Sequence, residues 1–204
     1  MTDMPPQDTQ HELALLARMK QGDEEAFAAI YRRHKDAVYR LALLYCGRPA
    51  TAADVTQDAF VFFIANPGNY DPARGTLGAW LCGVARNLAR KAAGHREEAP
   101  DPALLADDAA PHEQHIESDT PLDRILRSEA AEQVRRALAA IAPHYRDVLI
   151  LCELSELSYA EAAQVCGIDI GTVRSRLSRA RAQLADRLSR MGLRQGPGRV
   201  QEAS

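Results

Sequence analysis

Arginine is concentrated in one short stretch near the C-terminal end of the sequence. Within eight residues there are four of them, Arg174, Arg176, Arg179 and Arg181. The short hydroxyl side chains of Thr172, Ser175 and Ser178 accompany them. The arginine guanidinium is a planar fork of donors that can bind guanine O6 and N7 in the major groove or pair with a phosphate. This combination of residue types indicates a surface that binds DNA.

The segment before this stretch predicts a turn that would present it. Ser158 and Glu161 have the spacing of a capping box, which starts a helix at Tyr159. Gly167 suits the left-handed conformation that ends a helix, and Asp169 can cap the next helix. A short helix, a glycine-containing turn and a second, basic helix make a helix-turn-helix. A basic helix face is often only solvated surface, but the neighbouring turn favours DNA binding.

A second group of residues suited to binding bases surrounds the only tryptophan, Trp80. The aromatic, amide and basic residues of this group are Tyr70, Arg74, Asn87, Arg90 and Lys91. Aromatic rings together with cations bind the unstacked bases of single-stranded nucleic acid. The alternative for Trp80 is a place in the core, which the usual packing of a single tryptophan favours.

Both groups belong to segments with helical patterns, and no segment predicts a strand convincingly. Apolar residues recur at helical spacing over residues 11–96 and again over 122–190. Between positions 97 and 120 there are eight acidic residues and no lysine or arginine. We therefore predict an all-α protein with two small helical domains, joined by a flexible acidic linker over 97–121 and followed by a tail over 191–204.

The charge of the linker suggests a further hypothesis. The chain has a formal net charge of only −3. The acidic residues at positions 97–120 have no lysine or arginine among them, and they lie between two basic stretches. Several weak exposed pairings could fold the linker back over either basic stretch and mask it in the free protein. A plain solvated tether is the alternative.

Other features argue against several classes of protein. The first ten residues lack the basic and apolar regions of a signal peptide, and no apolar run approaches membrane-spanning length. The four cysteines form no CxxC pair, so we expect reduced, buried thiols in a cytoplasmic protein without membrane insertion. His112 and His115, with Glu113 and Glu117 nearby, have a spacing that can hold a metal in an enzyme, but their proline-flanked segment offers no supporting shell. We predict no metal, no cofactor and no catalytic site.

Four blocks of the sequence, in order, are LLARMKQGDEEAFAAIYRRH, ADVTQDAF, YDPARGTLGAWLCGVARNLAR and LSYAEAAQVCGIDIGTVRSRLSRAR. Together they resemble bacterial σ70-type RNA polymerase sigma factors of the extracytoplasmic-function (ECF) group. The resemblance implies that the protein is not an enzyme, binds core RNA polymerase, directs it to promoter DNA and is held inactive by an anti-sigma factor. It also implies that the first domain opens the −10 element and the second binds the −35 element as duplex.

The resemblance assigns roles to individual residues. The helix that binds the polymerase clamp matches Asp54, Gln57, Asp58 and Phe60. The −10-facing helix matches Asn87, Arg90 and Lys91, and the loop over 69–76, with Tyr70 and Arg74, matches the one that receives an extruded base. The −35-reading face matches Arg174, Ser175, Arg176, Ser178 and Arg179, with Thr172 beside them.

An independent helix-turn-helix repressor or activator is the rival interpretation. Such a protein needs no polymerase, and it reads paired half-sites as a dimer. The sequence contains no segment that indicates a dimerisation helix, and transcription by core polymerase with and without the protein separates the two hypotheses.

Overall fold

The computed structural model describes residues 7–97 and 129–191, and all regular elements within these two ranges are helices. The predicted all-α class is confirmed. The linker after Glu97, the pair His112 and His115, and the tail after Met191 lie outside the described residues. The masking hypothesis for the linker therefore stays a prediction. Within the two described ranges, no helix combines the length and the apolar character needed to span a bilayer.

The first helical unit, over residues 7–97, brings together four α-helices. They are α1 Gln7–Met19, α2 Glu24–Cys46, α3 Pro49–Ala65 and α4 Leu77–Glu97, with a 3₁₀ turn at Pro72–Arg74 before α4. Asp23 caps α2, since its carboxylate accepts a hydrogen bond from the Ala26 amide at 3.1 Å. Helix α3 begins at Pro49, which has the backbone angle that the first turn of a helix requires.

Helix α2 is the centre of the first unit and packs against α1, α3 and α4. Its predicted apolar stripe faces inward, and Ile30, Val38 and Leu41 are fully buried. Phe63 of α3 and Leu81 of α4 are fully buried in the same core. Each such side chain contributes about 1.5–3 kcal/mol through burial. This packing fixes the ends of α3 and α4 and hence the loop between them.

The second unit, over residues 129–191, contains the predicted helix-turn-helix. Its elements are α5 Glu129–Ala139, α6 Pro143–Leu149 continuing as a π turn at Ile150–Leu154, α7 Tyr159–Cys166 and α8 Ile170–Arg190. The capping box is confirmed, because the Glu161 amide donates to Ser158 Oγ at 3.2 Å and the Ser158 amide donates to Glu161 Oε2 at 3.0 Å. Gly167 ends α7 with a φ of 65°, as predicted. Asp169 occupies the N-cap position of α8, as predicted, but its side chain makes no capping hydrogen bond.

Helix α8 has the predicted division between a buried and an exposed face. Val173, Leu177 and Ala180 are buried, and the helix packs against α5, α6 and α7. Because these three helices cover one side of α8, its arginine-rich side lies at the surface of the unit.

The two units also pack against each other, which the sequence did not predict. Helix α4 contacts α7, and α2 contacts the π turn after α6. One continuous cluster of buried apolar residues includes members of both units. Helix α4 approaches α7 at Gly83, where a Cβ atom would lie 3.5 Å from Cγ2 of Val165, an ordinary van der Waals distance.

Candidate nucleic-acid interface

The outer face of α8 carries the predicted duplex-reading residues. Arg174, Ser175, Ser178 and Arg179 are exposed, whereas Thr172 and Arg176 are half-buried. The four exposed residues lie on the side of α8 away from Val173 and Leu177, and Thr172 and Arg176 lie at the edge of the buried face. The arrangement matches a recognition helix whose basic side enters the major groove.

The four arginines of α8 differ in how they are held. Arg181 binds the Glu153 carboxylate of the second unit, and this hydrogen bond raises the pKa of its guanidinium. Arg179 donates to the Tyr145 hydroxyl at 3.3 Å. In the described part of the chain, neither Arg174 nor Arg176 forms an ion pair. Arg174 and Arg176 are therefore the arginines best placed to give their charge to DNA.

The loop between α3 and α4 forms one wall of a cavity of about 250 Å³. The cavity is lined by Tyr70 and Arg74 of the loop, by Trp80 and Asn87 of α4, and by Gln164 and Val165 of α7. Four of these six residues belong to, or adjoin, the predicted −10 group. The other two come from the second unit and were not predicted.

Trp80 both packs in the core and lines the cavity, the two positions that the sequence left open for it. Its ring packs against Phe63 and Tyr70 at centroid distances of 5.8 and 6.0 Å, and it stacks on Phe62 at 6.2 Å. The indole is half-buried by these contacts, yet it lines the cavity. Trp80 is thus held rigidly by the core of the first unit, with part of its surface available to a planar group.

The cavity loop is fixed by its own hydrogen bonds. The Tyr70 hydroxyl donates to the Gly75 carbonyl at 3.0 Å, and burial raises the pKa of this phenol. Asp71 accepts from the Ala73 amide at 3.0 Å. Thr76 caps α4, since its hydroxyl oxygen accepts a hydrogen bond from the Ala79 amide at 3.2 Å. A loop tied down in this way needs little ordering to bind a ligand.

The remaining predicted −10 residues extend the surface beyond the cavity. Asn87, Arg90 and Lys91 are exposed, and their spacing of three and four residues places them on one side of α4. Asn87 accepts a hydrogen bond from Arg86 at 3.3 Å. Arg90 lies 3.5 Å from the Asp147 carboxylate of the second unit. The structure therefore groups the predicted residues on one surface and adds an acidic neighbour.

Asp147 and Arg86 form a buried ion pair that the sequence did not reveal. Their side chains are only 4% and 9% exposed. The other Asp147 oxygen accepts a hydrogen bond from Tyr45 at 3.0 Å, and Arg86 also donates to the Val165 carbonyl at 3.3 Å. Burial acts to lower the pKa of Arg86, but its hydrogen bond with Asp147 raises it overall. Burial, together with the Asp147 charge, raises the pKa of Tyr45.

One signal in the sequence could have indicated this pair. Arg86 lies between Ala85 and Ala89, in the phase of the buried stripe of α4. A charged residue in such a phase is seldom fully buried unless it is paired. Its partner, 61 residues away, carries no comparable signal.

The predicted polymerase-binding residues separate onto two sides of α3. Asp54, Gln57 and Asp58 are exposed. Phe60 is 3% exposed and packs edge-on against Tyr31 at 4.8 Å, so it belongs to the core and cannot offer an apolar contact to a partner. Val61 is 55% exposed and follows Asp54 and Asp58 by seven and three residues, which places it on their face. Val61, and not Phe60, is therefore the apolar side chain exposed beside Asp54 and Asp58.

The predicted burial of the cysteines holds for Cys82 alone, and Cys46, Cys152 and Cys166 are half-buried. All four are free. Burial raises the pKa of Cys82 to about 12 and that of Cys152 to about 11. Among the described residues, no group of three or more histidine, cysteine or acidic side chains is placed to hold a metal ion.

Comparison with known proteins agrees with this geometry. The family model described as Sigma-70 region 2 matches residues 30–97, which include α4 and the cavity loop. The model described as Sigma-70, region 4 matches residues 131–184, which include the helix-turn-helix.

Two relatives show the extent of the similarity. The ECF RNA polymerase sigma factor SigE of Mycolicibacterium smegmatis is 34% identical over 173 residues, covering 83% of this chain and 65% of that protein. The ECF RNA polymerase sigma-E factor of Haemophilus influenzae is 30% identical over 181 residues, covering 86% of this chain and 94% of that protein.

Two solved structures have a similar fold. One is CnrH in complex with the cytosolic domain of CnrY, with a TM-score of 0.63, 26% identity and coverage of 88% of this chain and 98% of that one. The other is the sigma factor RpoE in complex with the anti-sigma factor NepR from Bartonella quintana, with a TM-score of 0.59, 25% identity and coverage of 80% and 96%. With both family models matched in order and relatives aligned over most of its length, the chain belongs to the ECF group of σ70-family RNA polymerase sigma factors.

Proposed function

We propose that this protein binds core RNA polymerase and directs it to promoters through two DNA-binding faces of different chemistry. The observation that carries the proposal is the presence of both faces in one chain. Helix α8 presents Arg174 and Arg176 as a duplex-reading surface, and α4 presents a cavity walled by Trp80 with Asn87 and Arg90 beside it. Duplex and unstacked bases require these two kinds of surface.

The two faces divide the work between the domains. Residues 11–96 bind the polymerase and the melted −10 element, residues 122–190 bind the −35 duplex, and residues 97–121 connect them. Tyr70, Arg74, Asn87, Arg90 and Lys91 form the −10 surface. Thr172, Arg174, Ser175, Arg176, Ser178 and Arg179 form the −35 surface.

We place the polymerase contact on the exposed face of α3. Asp54, Gln57 and Asp58 present charge and hydrogen-bonding groups, and Val61 supplies the exposed apolar contact. The protein acts as a specificity subunit in the cytoplasm and carries no catalytic site of its own. Both similar solved structures are complexes with a second chain, one of them named as an anti-sigma factor, and we extend that mode of inhibition to this protein.

Transcription by purified core polymerase tests the proposal. Core enzyme with and without the protein is supplied with a pool of genomic DNA fragments from the source organism, and the RNA 5′ ends are sequenced. We expect transcripts that start downstream of a shared −35 and −10 pair only when the protein is present. Replacing Arg174 and Arg176 together with alanine should reduce them, whereas Arg190→Ala, at the paired end of the same helix, should not.

The rival repressor or activator would give a different result. It would bind duplex DNA as a dimer without polymerase and would leave the start sites of core enzyme undefined. Promoter-independent transcripts in the presence of the protein would therefore contradict the proposed function.

A further inference from the structure

One arginine of α8 is held by an acidic side chain from outside the helix. Arg181 binds the carboxylate of Glu153 in the π turn after α6, and this pair raises the pKa of the Arg181 guanidinium. Tyr159, the first residue of α7, adds to the same effect. Arg181 therefore lies beside the two elements that precede α8, and Glu153 cancels its charge locally.

The neighbouring arginines are not neutralised in this way. Arg179 donates to the hydroxyl of Tyr145 at 3.3 Å, and a hydroxyl carries no formal charge that could cancel the charge of the guanidinium. Within residues 7–97 and 129–191, neither Arg174 nor Arg176 forms an ion pair. Among the described parts of the chain, Arg181 is therefore the one arginine over 174–181 whose charge an acidic side chain cancels.

The position of Arg181 on α8 suits a contact with the DNA backbone rather than with a base. It follows Arg174 by seven residues and Ser178 by three, so it lies on the same exposed side of the helix. It is about 10 Å further along the helix axis than Arg174. A recognition helix places its N-terminal residues in a major groove about 12 Å wide, and residues beyond the groove approach the flanking phosphates. A free Arg181 would therefore add a phosphate contact.

The carboxylate of Glu153 opposes such a contact in two ways. It already accepts a hydrogen bond from the guanidinium group that a phosphate would bind. If a phosphate displaced it, its negative charge would be left unpaired beside the DNA backbone. Both side chains are partly exposed, at 54% for Arg181 and 38% for Glu153, and exposed ion pairs contribute little to stability. The main effect of the pair is therefore to remove one charge from the DNA-binding face.

We propose that Glu153 limits the affinity of the −35 surface by withholding Arg181 from the DNA backbone. This inference rests on the proposed role of α8 in binding the −35 duplex. Phosphate contacts strengthen binding to every sequence, whereas contacts with base edges carry the sequence information. A surface with one phosphate contact fewer depends more on its base-reading residues and binds DNA without a promoter less tightly.

The salt dependence of binding tests for the withheld contact. Holoenzyme with wild-type or Glu153→Gln protein is titrated with a promoter fragment found in the transcription assay, and with the same fragment carrying a scrambled −35 element. Glu153→Gln should bind both fragments more tightly and steepen the slope of log affinity against log salt by about one unit. Between about 50 and 200 mM salt, its gain over wild type should shrink by about 3-fold to 4-fold. Unchanged or weaker binding at low salt would overturn the proposal.

Glu156→Gln is the matched control for the loss of one negative charge. Glu156 is exposed, lies three residues after Glu153 and forms no ion pair with the described residues. The two substitutions change the net charge equally, but Glu156→Gln should leave the salt slope nearly unchanged. An equal gain from both variants would attribute the effect to net charge and contradict a specific role for Glu153.

A neutral pair distinguishes a withheld arginine from one that already contacts DNA. The Glu153→Gln, Arg181→Gln double variant has the net charge of wild type and lacks the ion pair. If Arg181 makes no DNA contact in the wild type, the double variant should match wild type in affinity and in salt slope. A slope shallower by about one unit would show that Arg181 already binds a phosphate, which would refute withholding.

The outcomes separate this inference from the proposed function. Equal binding of both fragments by wild-type holoenzyme would refute −35 reading by the protein, whatever the slopes of the variants. A clear preference for the promoter fragment, together with equal salt slopes for wild type and Glu153→Gln, would refute withholding alone.

Discussion

The carboxylate of Asp147, at the end of α6, is bound by the guanidinium of Arg86 on α4, and the pair lies buried between the two helical units. Together with the hydrogen bond from Thr76 to Glu161, this contact joins the unit that carries the proposed −10 surface to the unit that carries the proposed −35 surface. Tyr45 of α2 completes it with a hydrogen bond at 3.0 Å. The relation between the two proposed DNA-binding faces therefore depends on polar contacts as well as on apolar packing between the units.

The energetic role of the pair can be measured with single and double variants. Removing one partner of a buried pair costs about 3–5 kcal/mol, whereas replacing both with apolar residues is often neutral or stabilising. We expect Asp147→Leu or Arg86→Met alone to lower the free energy of unfolding. The double variant should recover most of that decrease. Urea unfolding followed by Trp80 fluorescence measures this. Additive losses in the double variant would show that the two side chains do not act as a pair.

Local structure was predictable from the sequence because short-range chemistry determines it. The Asp23 cap, the Ser158–Glu161 capping box and the left-handed Gly167 each depend on residues within one turn of the chain. The buried face of α8 followed from apolar spacing alone. The polar outer face of α8 then had to lie at the surface.

Contacts between distant segments were not predictable in the same way. The partner of Arg86 is 61 residues away, and the partner of Thr76 is 85 residues away. No local pattern specifies such a pairing, since many acidic residues could satisfy either group. Phe60 on α3 shows the same limit. A phenylalanine next to exposed acidic residues can lie either on a partner-binding surface or in the core. Its contacts with the aromatic rings of α2 place it in the core.

Arg176 on α8 should contribute directly to reading the −35 duplex. If it makes a bidentate base contact, Arg176→Ala should weaken binding of the holoenzyme to its own promoter by about 1–3 kcal/mol and relax selectivity at one base pair. A phosphate contact would instead weaken binding to all sequences and reduce the salt slope by about one unit. Duplex titrations at several salt concentrations distinguish these outcomes. Unchanged affinity and selectivity would remove Arg176 from the interface.

The exposed face of α3 should determine affinity for core polymerase. Asp58→Arg reverses a charge on this face, and Val61→Asp removes its exposed apolar contact, so both should weaken core binding in a pull-down. Asp186→Arg makes the same charge reversal on α8 and serves as the control. DNA binding by the second domain should be unaffected in both α3 variants. Normal core affinity in both α3 variants would place the polymerase contact elsewhere.

Cys82 should be unreactive in the folded protein. Its side chain is buried, and burial raises its pKa to about 12, so very little thiolate is present at pH 8. Alkylation with iodoacetamide followed by mass spectrometry should show slow labelling of Cys82 in native protein and rapid labelling of all four cysteines in urea. Rapid labelling of Cys82 in the native state would show that α4 opens readily from the core.

The contact between Thr76 and Glu161 should weaken in acid. Burial acts to raise the pKa of Glu161, but hydrogen bonds from Thr76 and Ser158 lower it overall from its ordinary value of 4.5. A carboxylate whose pKa is lower in the folded state stabilises that state above its unfolded pKa, and the contribution is lost as pH falls through the folded pKa. Below about pH 4.5, close to the ordinary pKa of a glutamate, the hold of α7 on the cavity loop should therefore loosen. Trp80 lines the same cavity, so its fluorescence should report the change.

Glu161→Gln should show a smaller acid-dependent change in fluorescence than wild type. Glu153→Gln, which alters an exposed pair away from the cavity, should retain the full change. An identical acid transition in the Glu161→Gln variant would exclude this carboxylate as its origin.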